Sequence, residues 1–406
     1  MPFLPYFVRD LGVHDEKAIL LWSGWLASGA GLAMAIVAPM WGVLADRHGR
    51  KLMVMRSMFG GVLVLGLMGL VHNVYQLLGL RILQGILTGT VTASVALVAS
   101  VVPERRTGFA MGMMQQALFI GNAIGPLVGG FAADRWGYRV PFEIAAGFLL
   151  IGACATWFGV RESFDRKELE DVPGGGMTIR EVLSITGFST MIGLLFMVHF
   201  SGSFVGPILP LYIRELGAQD NATTGLIFAL AAVSAAVAAP VIGLLGDRVG
   251  YAAILRSCTF ANGLLLIPQG MARTVSQLAV MRMAFSFSDV GTMPTANALI
   301  RKLVPRHACG KAFGLVQSVT CFGWGLGPAV GSSLAAHYGM RIPFFIVGGV
   351  FLVISVIVSI VMPRLLRKIE QERQAAATEA GECEIAAKAA LTQEYQLEAS
   401  QGVNEG

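Results

Sequence analysis

The sequence predicts an all-α membrane protein assembled from two related halves. Three observations carry that reading. Of 406 residues, 55% are hydrophobic and only 14% are charged, against about 25% charged in an average soluble domain. A soluble core could not bury so much apolar surface, so a bilayer has to solvate most of it. The apolar residues fall in runs long enough to cross a bilayer. Finally, a short charged motif is written twice. Gly42-Val-Leu-Ala-Asp46-Arg47-His-Gly49-Arg50-Lys51 follows one apolar run, and Gly243-Leu-Leu-Gly-Asp247-Arg248-Val-Gly250 follows another 201 residues later.

A spanning helix needs about 20 apolar residues. Eleven runs meet that length, near 19–44, 52–71, 75–101, 108–133, 140–160, 186–213, 224–246, 252–271, 276–300, 310–336 and 342–363. Residues 1–160 are then a first helical bundle and 186–363 a second. Between them, 161–185 is a charged linker broken by Pro173-Gly174-Gly175-Gly176. Residues 364–406 form a polar tail rich in Ala, Glu and Gln, which reads as solvated and largely disordered.

The halves align beyond the charged motif. Leu4-Pro5 and Arg9 match Leu209-Pro210 and Arg214. Arg81 matches Arg282, Val102-Pro103 matches Val304-Pro305, and Gly125-Pro126 matches Gly327-Pro328. Gly137, Arg139 and Pro141-Phe142 match Gly339, Arg341 and Pro343-Phe344. Six helices per half, related by a pseudo-two-fold, are the expected unit. The first half is one helix short, because the run 186–208 precedes Leu209-Pro210 while only Met1-Pro2-Phe3 precedes Leu4-Pro5. A recorded start downstream of the true one is the favoured explanation, and an eleven-helix variant is the other.

Basic residues set the orientation. With the repeated motif in the cytoplasm, 16 Lys/Arg lie in or beside cytoplasmic loops and 7 in outer segments, the tail excluded. The linker and the tail then face the cytoplasm. The net charge of +5 does not indicate nucleic-acid binding, since the basic residues sit in short loops between apolar runs. Cys154, Cys258, Cys309, Cys321 and Cys383 form no CxxC pair, so free thiols are expected, with no disulfide and no metal site. No cleavable signal peptide is expected, since Met1-Pro-Phe-Leu-Pro lacks a basic leader. The sequon Asn221-Ala-Thr223 reads as chance. An enzyme is not expected, because no nucleophile elbow, phosphate loop or metal-ligand cluster occurs.

In the repeated motif, Gly42 and Gly49 allow close helix approach and a tight turn. Asp46 sits where one helix ends and the next begins, within reach of backbone N–H groups or of Arg47 and Arg50. A plain positive-inside anchor would need no such fixed spacing. The string GxLADRxGRK resembles the signature loop of the major facilitator superfamily. There it latches the two halves on the cytoplasmic side and helps switch between inward- and outward-facing states. The second copy keeps Asp247 and Arg248 but has Tyr251 and Ala252 in place of Arg50 and Lys51, so the first copy is expected to matter more.

Arg81-Ile-Leu-Gln84-Gly85 lies inside an apolar run, with Arg81 about 9 Å deep at 1.5 Å per residue. An arginine there either faces a cavity or partner or snorkels to the surface. The pattern resembles the superfamily's RxxQG signature, in which the arginine is implicated in proton coupling. Gly121-Asn122-Ala-Ile-Gly125-Pro126-Leu-Val-Gly129-Gly130 places glycines on one helix face for close packing, and Pro126 removes a backbone donor. The whole string resembles the antiporter signature of the superfamily's drug exporters.

Asp289 lies about 20 Å from the outer end of its helix, near mid-depth. Its counterpart in the first half is Thr88, so the duplication does not require it. Intramembrane acids usually carry function, and Asp289, with His199 at similar depth, is a candidate for carrying the coupling proton or meeting a cationic solute. A hydrogen-bonded structural carboxyl and a packed neutral histidine are the bland alternatives. Gln84, Gln115, Asn122, Asn262 and Gln317 either line a cavity or bond between helices. The 19 methionines and 23 phenylalanines would suit an adaptable pocket, though in a bilayer they more often face lipid.

The resemblance covers the chain to about residue 365 and is strongest to the twelve-helix drug:proton antiporter family. It implies a monomeric transporter of the bacterial inner membrane that exchanges protons for a drug-like or small amphipathic solute. The proton gradient drives it and no cofactor is needed. Its partners are the lipid bilayer, the small-molecule substrate and protons. A carrier of a specific metabolite, such as a sugar or siderophore, and a non-transporting receptor or remnant are the competing readings.

Overall fold

The computed structural model describes residues 2–102, 104–160, 178–185, 187–304 and 309–365, with isolated positions 367 and 371. Side chains within Gly42–His48, Leu44 apart, are also outside the described set. The first repeat contains α1 (Leu4–Asp10), α2 (Glu16–His48), α3 (Arg50–Gly69), α4 (Val74–Leu87), α5 (Thr90–Val101), α6 (Glu104–Trp136) and α7 (Val140–Gly159). The short α8 (Ile179–Ser184) follows, started by a capping box in which Thr178 and Glu181 satisfy each other's backbone N–H. The second repeat contains α9 (Phe188–Gly202), α10 (Leu209–Glu215), α11 (Asn221–Val249), α12 (Tyr251–Gly270), α13 (Val275–Asp289), α14 (Thr292–Leu303), α15 (Cys309–Tyr338) and α16 (Ile342–Leu365). Met1–Val356 packs as one unit, and Ile357–Gly406 is a separate one whose described part is chiefly the end of α16. Residues 161–177 of the predicted linker 161–185, and nearly all of the 364–406 tail, lie outside the described residues.

The expectation of eleven spans, and with it the count of six helices less one, is corrected here. Among the described residues, fifteen helices precede α16, and seven helices are long and apolar enough to cross a membrane. These seven are Glu16–Ala38, Arg50–Gly69, Phe109–Trp136, Val140–Gly159, Asn221–Val249, Tyr251–Gly270 and Ile342–Leu365. Three predicted runs are broken. Gly89, at φ 131, ends α4 and begins α5. Gly291 separates α13 from α14, and 203–208 separates α9 from α10. The fourth run, 310–336, is one helix, but serines, glycines and Gln317 dilute its hydropathy. Hydropathy sums cannot register a break whose flanks are both apolar.

Helix packing repeats with the sequence. Helix α2 packs along α15, and α11 packs along α6. Because α11 corresponds to α2 and α15 to α6, these are two copies of one arrangement, each joining the first repeat to the second. Bare backbone makes both contacts possible. A Cβ on Gly31 would lie 2.7 Å from Gly325 Cα, and one on Gly24 would lie 2.8 Å from Pro328 O. Ala329 N donates to Ser28 Oγ at 2.9 Å. Across the other pair, a Cβ on Gly225 would overlap Pro126 O, and one on Gly130 would lie 2.7 Å from Asn221 O. These approaches fall on the part of α2 and α11 remote from their Gly49 and Gly250 turns. Nearer the turn, Ile36 and Met40 of α2 are 69% and 68% exposed.

The same remote end carries polar contacts between repeats. The Tyr6 hydroxyl of α1 donates to Pro210 O at the start of α10, at 2.5 Å, and Arg214 stacks over the Tyr6 ring. Asp134, near the end of α6, accepts from the backbone N–H groups of Asn221 and Ala222 at 3.0 and 2.8 Å and from the Asn221 side chain at 2.6 Å.

Helices α3 and α7 form an antiparallel pair tied at both ends. Lys51, at the start of α3, donates to Trp157 O and Val160 O at the end of α7, at 2.9 and 2.6 Å. Arg139, at the start of α7, donates to Gly69 O and Val71 O at the end of α3, at 3.4 and 2.9 Å. Each cation meets the carbonyls that its partner helix leaves unpaired, at the negative end of that helix's dipole.

In lipid there is little hydrophobic drive between helices, so the close α6–α11 approach rests on shape. Gly225→Ala is expected to lower stability by about 1–3 kcal/mol through overpacking. Gly66→Ala, where a Cβ meets nothing within 4 Å, is expected to be neutral or to stabilise by up to about 1 kcal/mol. Thermal unfolding of the two purified variants in detergent checks the contrast.

Candidate functional site

The two copies of the charged motif form matching turns. Helix α2 ends at His48, Gly49 takes φ 93, and α3 starts at Arg50; α11 ends at Val249, Gly250 takes φ 98, and α12 starts at Tyr251. Positive φ is the left-handed region that favours glycine, which explains a glycine at both turns. The side chains of Gly42, Asp46 and Arg47 lie outside the described residues. Lys51 is the α7 clamp described above. In the second copy Asp247 and Arg248 are exposed, and the Tyr251 hydroxyl donates to the Asp247 carboxylate. The first turn therefore reaches out to α7, whereas the second bonds to itself.

Arg81 is placed by α4 against α2. Its Nε donates to Leu26 O at 3.1 Å and its Nη1 to Gln84 Oε1 at 2.7 Å, so Gln84 orients the guanidinium rather than standing apart. Gly85 permits the approach, since a Cβ there would overlap Ala30 O. One turn on, Thr88 N and Oγ1 both bond Gln84 O, and the helix stops.

The matching break in the second repeat carries Asp289. It is the last residue of α13, and Asn262 of the buried core of α12 donates from Nδ2 to its Oδ1 at 3.0 Å. Asn262 Oδ1 is buried without a partner, as is Arg282 Nε seven residues before Asp289. The adjacent Ser288 hydroxyl bonds Cys258 O at 3.1 Å. A Cβ on Gly291 would lie 2.5 Å from Ile242 and 2.9 Å from Cys258 Sγ, so the break packs directly on α11 and α12.

His199 goes elsewhere. Its Nδ1 accepts from Trp324 Nε1 at 3.0 Å and its Nε2 lies 3.3 Å from Met293 Sδ. An indole N–H can only donate, so Nδ1 carries no proton in this arrangement and the ring hydrogen sits on Nε2. Asp289 and His199 are thus held by different partners, though Met293 follows Asp289 by four residues on the far side of the break. Trp324 leaves 62% of its surface exposed.

The glycine string of α6 divides in two. Gly129 and Gly130 are packed, on Phe3 and Asn221, whereas Gly121 and Gly125 meet nothing within 4 Å. Their counterparts Gly323, Gly327 and Gly331 of α15 all lie against α9 or the Phe204 that follows it. Gln115, Asn122 and Gln317 are exposed, and Gln317 donates to Cys321 Sγ at 3.2 Å.

Sequence reasoning did not single out Trp324, Met293 or Asp134. Asp134 had a visible signal, since it continues the four-residue spacing of Pro126 and Gly130 along one helix face. A cavity of about 350 Å³ opens between Arg9, Glu16, Leu20, Arg214, Glu215 and Met340. It lies among helix ends, away from Asp289 and His199. Among the described residues no cluster of three His, Cys, Asp or Glu is placed to hold a metal ion.

A family model described as the Major Facilitator Superfamily matches residues 1–193 and 191–396. The chain belongs to the major facilitator superfamily. Within the superfamily it is similar to proteins named multidrug resistance protein MdtG. The one from Klebsiella pneumoniae (strain 342) is 36% identical over 362 residues, covering 87% of this chain and 86% of that protein. The one from Citrobacter koseri is 37% identical over 359 residues, covering 87% of each. A crystal structure of the human organic anion transporter MFSD10 (TETRAN) superposes with a TM-score of 0.65 over 87% of this chain and 88% of that one. At 18% identity it shares the fold.

Lys51→Ala should release the last carbonyls of α7. Charge-assisted caps of this kind are worth about 1–2 kcal/mol, so amide exchange in the last turn of α7 is expected to speed up about tenfold. Hydrogen exchange read by mass spectrometry over 150–160 checks this, with Ala252→Lys as a second-turn comparison that should leave that segment unchanged.

Proposed function

We propose that this member of the superfamily exports drugs or small amphipathic solutes across the bacterial inner membrane in exchange for protons. The similarity to proteins named for multidrug resistance supports the cargo class. The observation that carries the mechanism is the pair of matched helix breaks, of which one alone holds an acid. Thr88 marks the first and Asp289 the second. Interrupted helices are where carriers place binding groups, because freed backbone and a polar side chain can line a site at mid-depth.

Asp289 carries the proton in this reading, with Asn262 serving both of its states. The amide Nδ2 donates to the carboxylate. After protonation an amide flip presents Oδ1, otherwise without a partner, to the acid O–H. Arg81, held by Gln84 and Leu26 O, fixes the first repeat's break relative to α2. His199 and the exposed face of Trp324 offer a polar and aromatic surface for solute.

The orientation deduced from the basic residues puts the Gly49 and Gly250 turns, the linker and the tail in the cytoplasm. The close contacts between repeats then sit at the outer end, and the conformation is closed outward. Rocking about the α2–α15 and α6–α11 contacts would alternate access for a monomer that needs the proton gradient and no cofactor.

Asp289→Asn should abolish proton-driven export while leaving the protein inserted and folded. Everted vesicles with an imposed pH gradient and a fluorescent cationic dye supply the readout, after a resistance panel on deleted and overexpressing strains has fixed the cargo. Wild-type rates in a correctly inserted variant would remove Asp289 from the mechanism.

A further inference from the structure

The end of α11 that faces α6 is held by two carboxylates with separate tasks. Asp220, the residue before the helix, accepts from Thr223 N at 3.1 Å and from Thr223 Oγ1 at 2.8 Å. That is the ordinary cap of a helix by its own neighbour. Asp134 comes from the other repeat. It takes the N–H groups of Asn221 and Ala222, the first two of the helix, and ties the Asn221 side chain as well. Three of the amides that a helix start leaves unpaired are thereby satisfied, one from within and two from across the seam.

We propose that Asp134 is a releasable latch that holds α6 and α11 together at this end and has to let go for the transporter to open there. Its position follows from the packing beneath it. Pro126 O against Gly225 and Gly130 against Asn221 O bring the two helices into backbone contact one turn apart. The next turn of α6 therefore delivers residue 134 onto the start of α11. Tyr138 accepts from the same Asn221 side chain at 3.3 Å. The anion faces the positive end of the α11 dipole, so the contact attracts without needing a basic side chain.

Two features make the contact fit to break and re-form. Asp134 is exposed, so water can replace the carboxylate on both amides and the amides on the carboxylate, which keeps the open state within reach. Asp220 remains on Thr223 when Asp134 leaves, so α11 can separate without unwinding. The repeat-related seam is built differently. There Ala336 stands where Asp134 does, and Leu20 packs with Ala335 and Ala336 in an apolar cluster. The two seams at this end thus differ in kind, one closed by a polar latch and the other by apolar contact, and opening starts at the polar one.

The proposal rests on the transporter reading, but its test does not use transport. Spin labels at Arg135→Cys and Gln219→Cys, both exposed sites beside the seam, report the distance across it. The full chain is used in nanodiscs, with its five native cysteines replaced. Removing the Asp134 carboxylate by Asp134→Ala is expected to raise the long-distance population about fivefold, the worth of one good cap. Asp134→Asn, which keeps one acceptor, should fall between. Asp220→Ala should lower the melting temperature and leave the distance distribution in place. An unchanged distribution in Asp134→Ala would overturn the latch, and so would an equal shift in Asp220→Ala, which would reduce Asp134 to general support of the helix end. Loss of dye export alone, with distances unmoved, counts against the latch while leaving the transporter reading standing.

Discussion

Backbone-to-backbone contact between helices of different repeats is the constraint on which the rest of this structure depends. Lipid tails are as apolar as leucine, so burying leucine between two membrane helices gains little. What does favour association is the number of atoms that touch, and that number rises steeply when glycine removes the side chain between two helix axes. Gly31 against Gly325 and Gly225 against Pro126 achieve this in the two related seams. Once those pairs are seated, the angle and register of α2, α6, α11 and α15 are set. The polar residues on these helices then have little freedom in what they meet. Ser28 receives the N–H of Ala329, and Asp134 reaches the start of α11.

The interrupted helices are the second level of this arrangement. A continuous helix offers its side chains but withholds its backbone, whose groups are all paired. Breaking α4 from α5 at Gly89 and α13 from α14 at Gly291 gives the two repeats a matched place where the chain turns within an apolar run. The first repeat closes its break with Thr88, which folds back onto Gln84 O. The second leaves Asp289 there, with Asn262 from a neighbouring helix as its bonded partner. The same duplicated frame thus carries a neutral stop in one half and an ionisable group in the other. Similar divergence appears beneath the breaks. Trp41, stacked with Arg56, occupies the first repeat where Ile242 lies in an apolar cluster with Cys258 in the second.

Much of this was legible before any coordinates. The turn glycines Gly49 and Gly250, the pairing of Arg81 with Arg282, and the asymmetry of Thr88 and Asp289 all follow from laying one half over the other. Family membership was legible too, because the GxLADRxGRK, RxxQG and GxxxGPxxGG strings are long enough to be specific. The number of spans was not. Gly89 and Gly291 sit between apolar neighbours, and a hydropathy window averages across them. Partners were not legible either. Asn262 lies 27 residues from Asp289, and Trp324 lies 125 residues from His199. No local pattern links such positions, and only the packing of α12 on α13 and of α15 on α9 brings them together. Asp134 shows in the sequence only the four-residue spacing it shares with Pro126 and Gly130, which does not reveal that a second helix begins against it.

The crossed clamps on α3 and α7 have a mechanical consequence. Lys51 holds the foot of one helix to the end of the other, and Arg139 does the same from the opposite side. Sliding either helix along its length would stretch both ties at once, whereas turning the pair as a block disturbs neither. Shear between these two helices is therefore resisted and hinge rotation is left open. In the second repeat the position of Lys51 is held by Ala252, and Arg341 approaches Glu215.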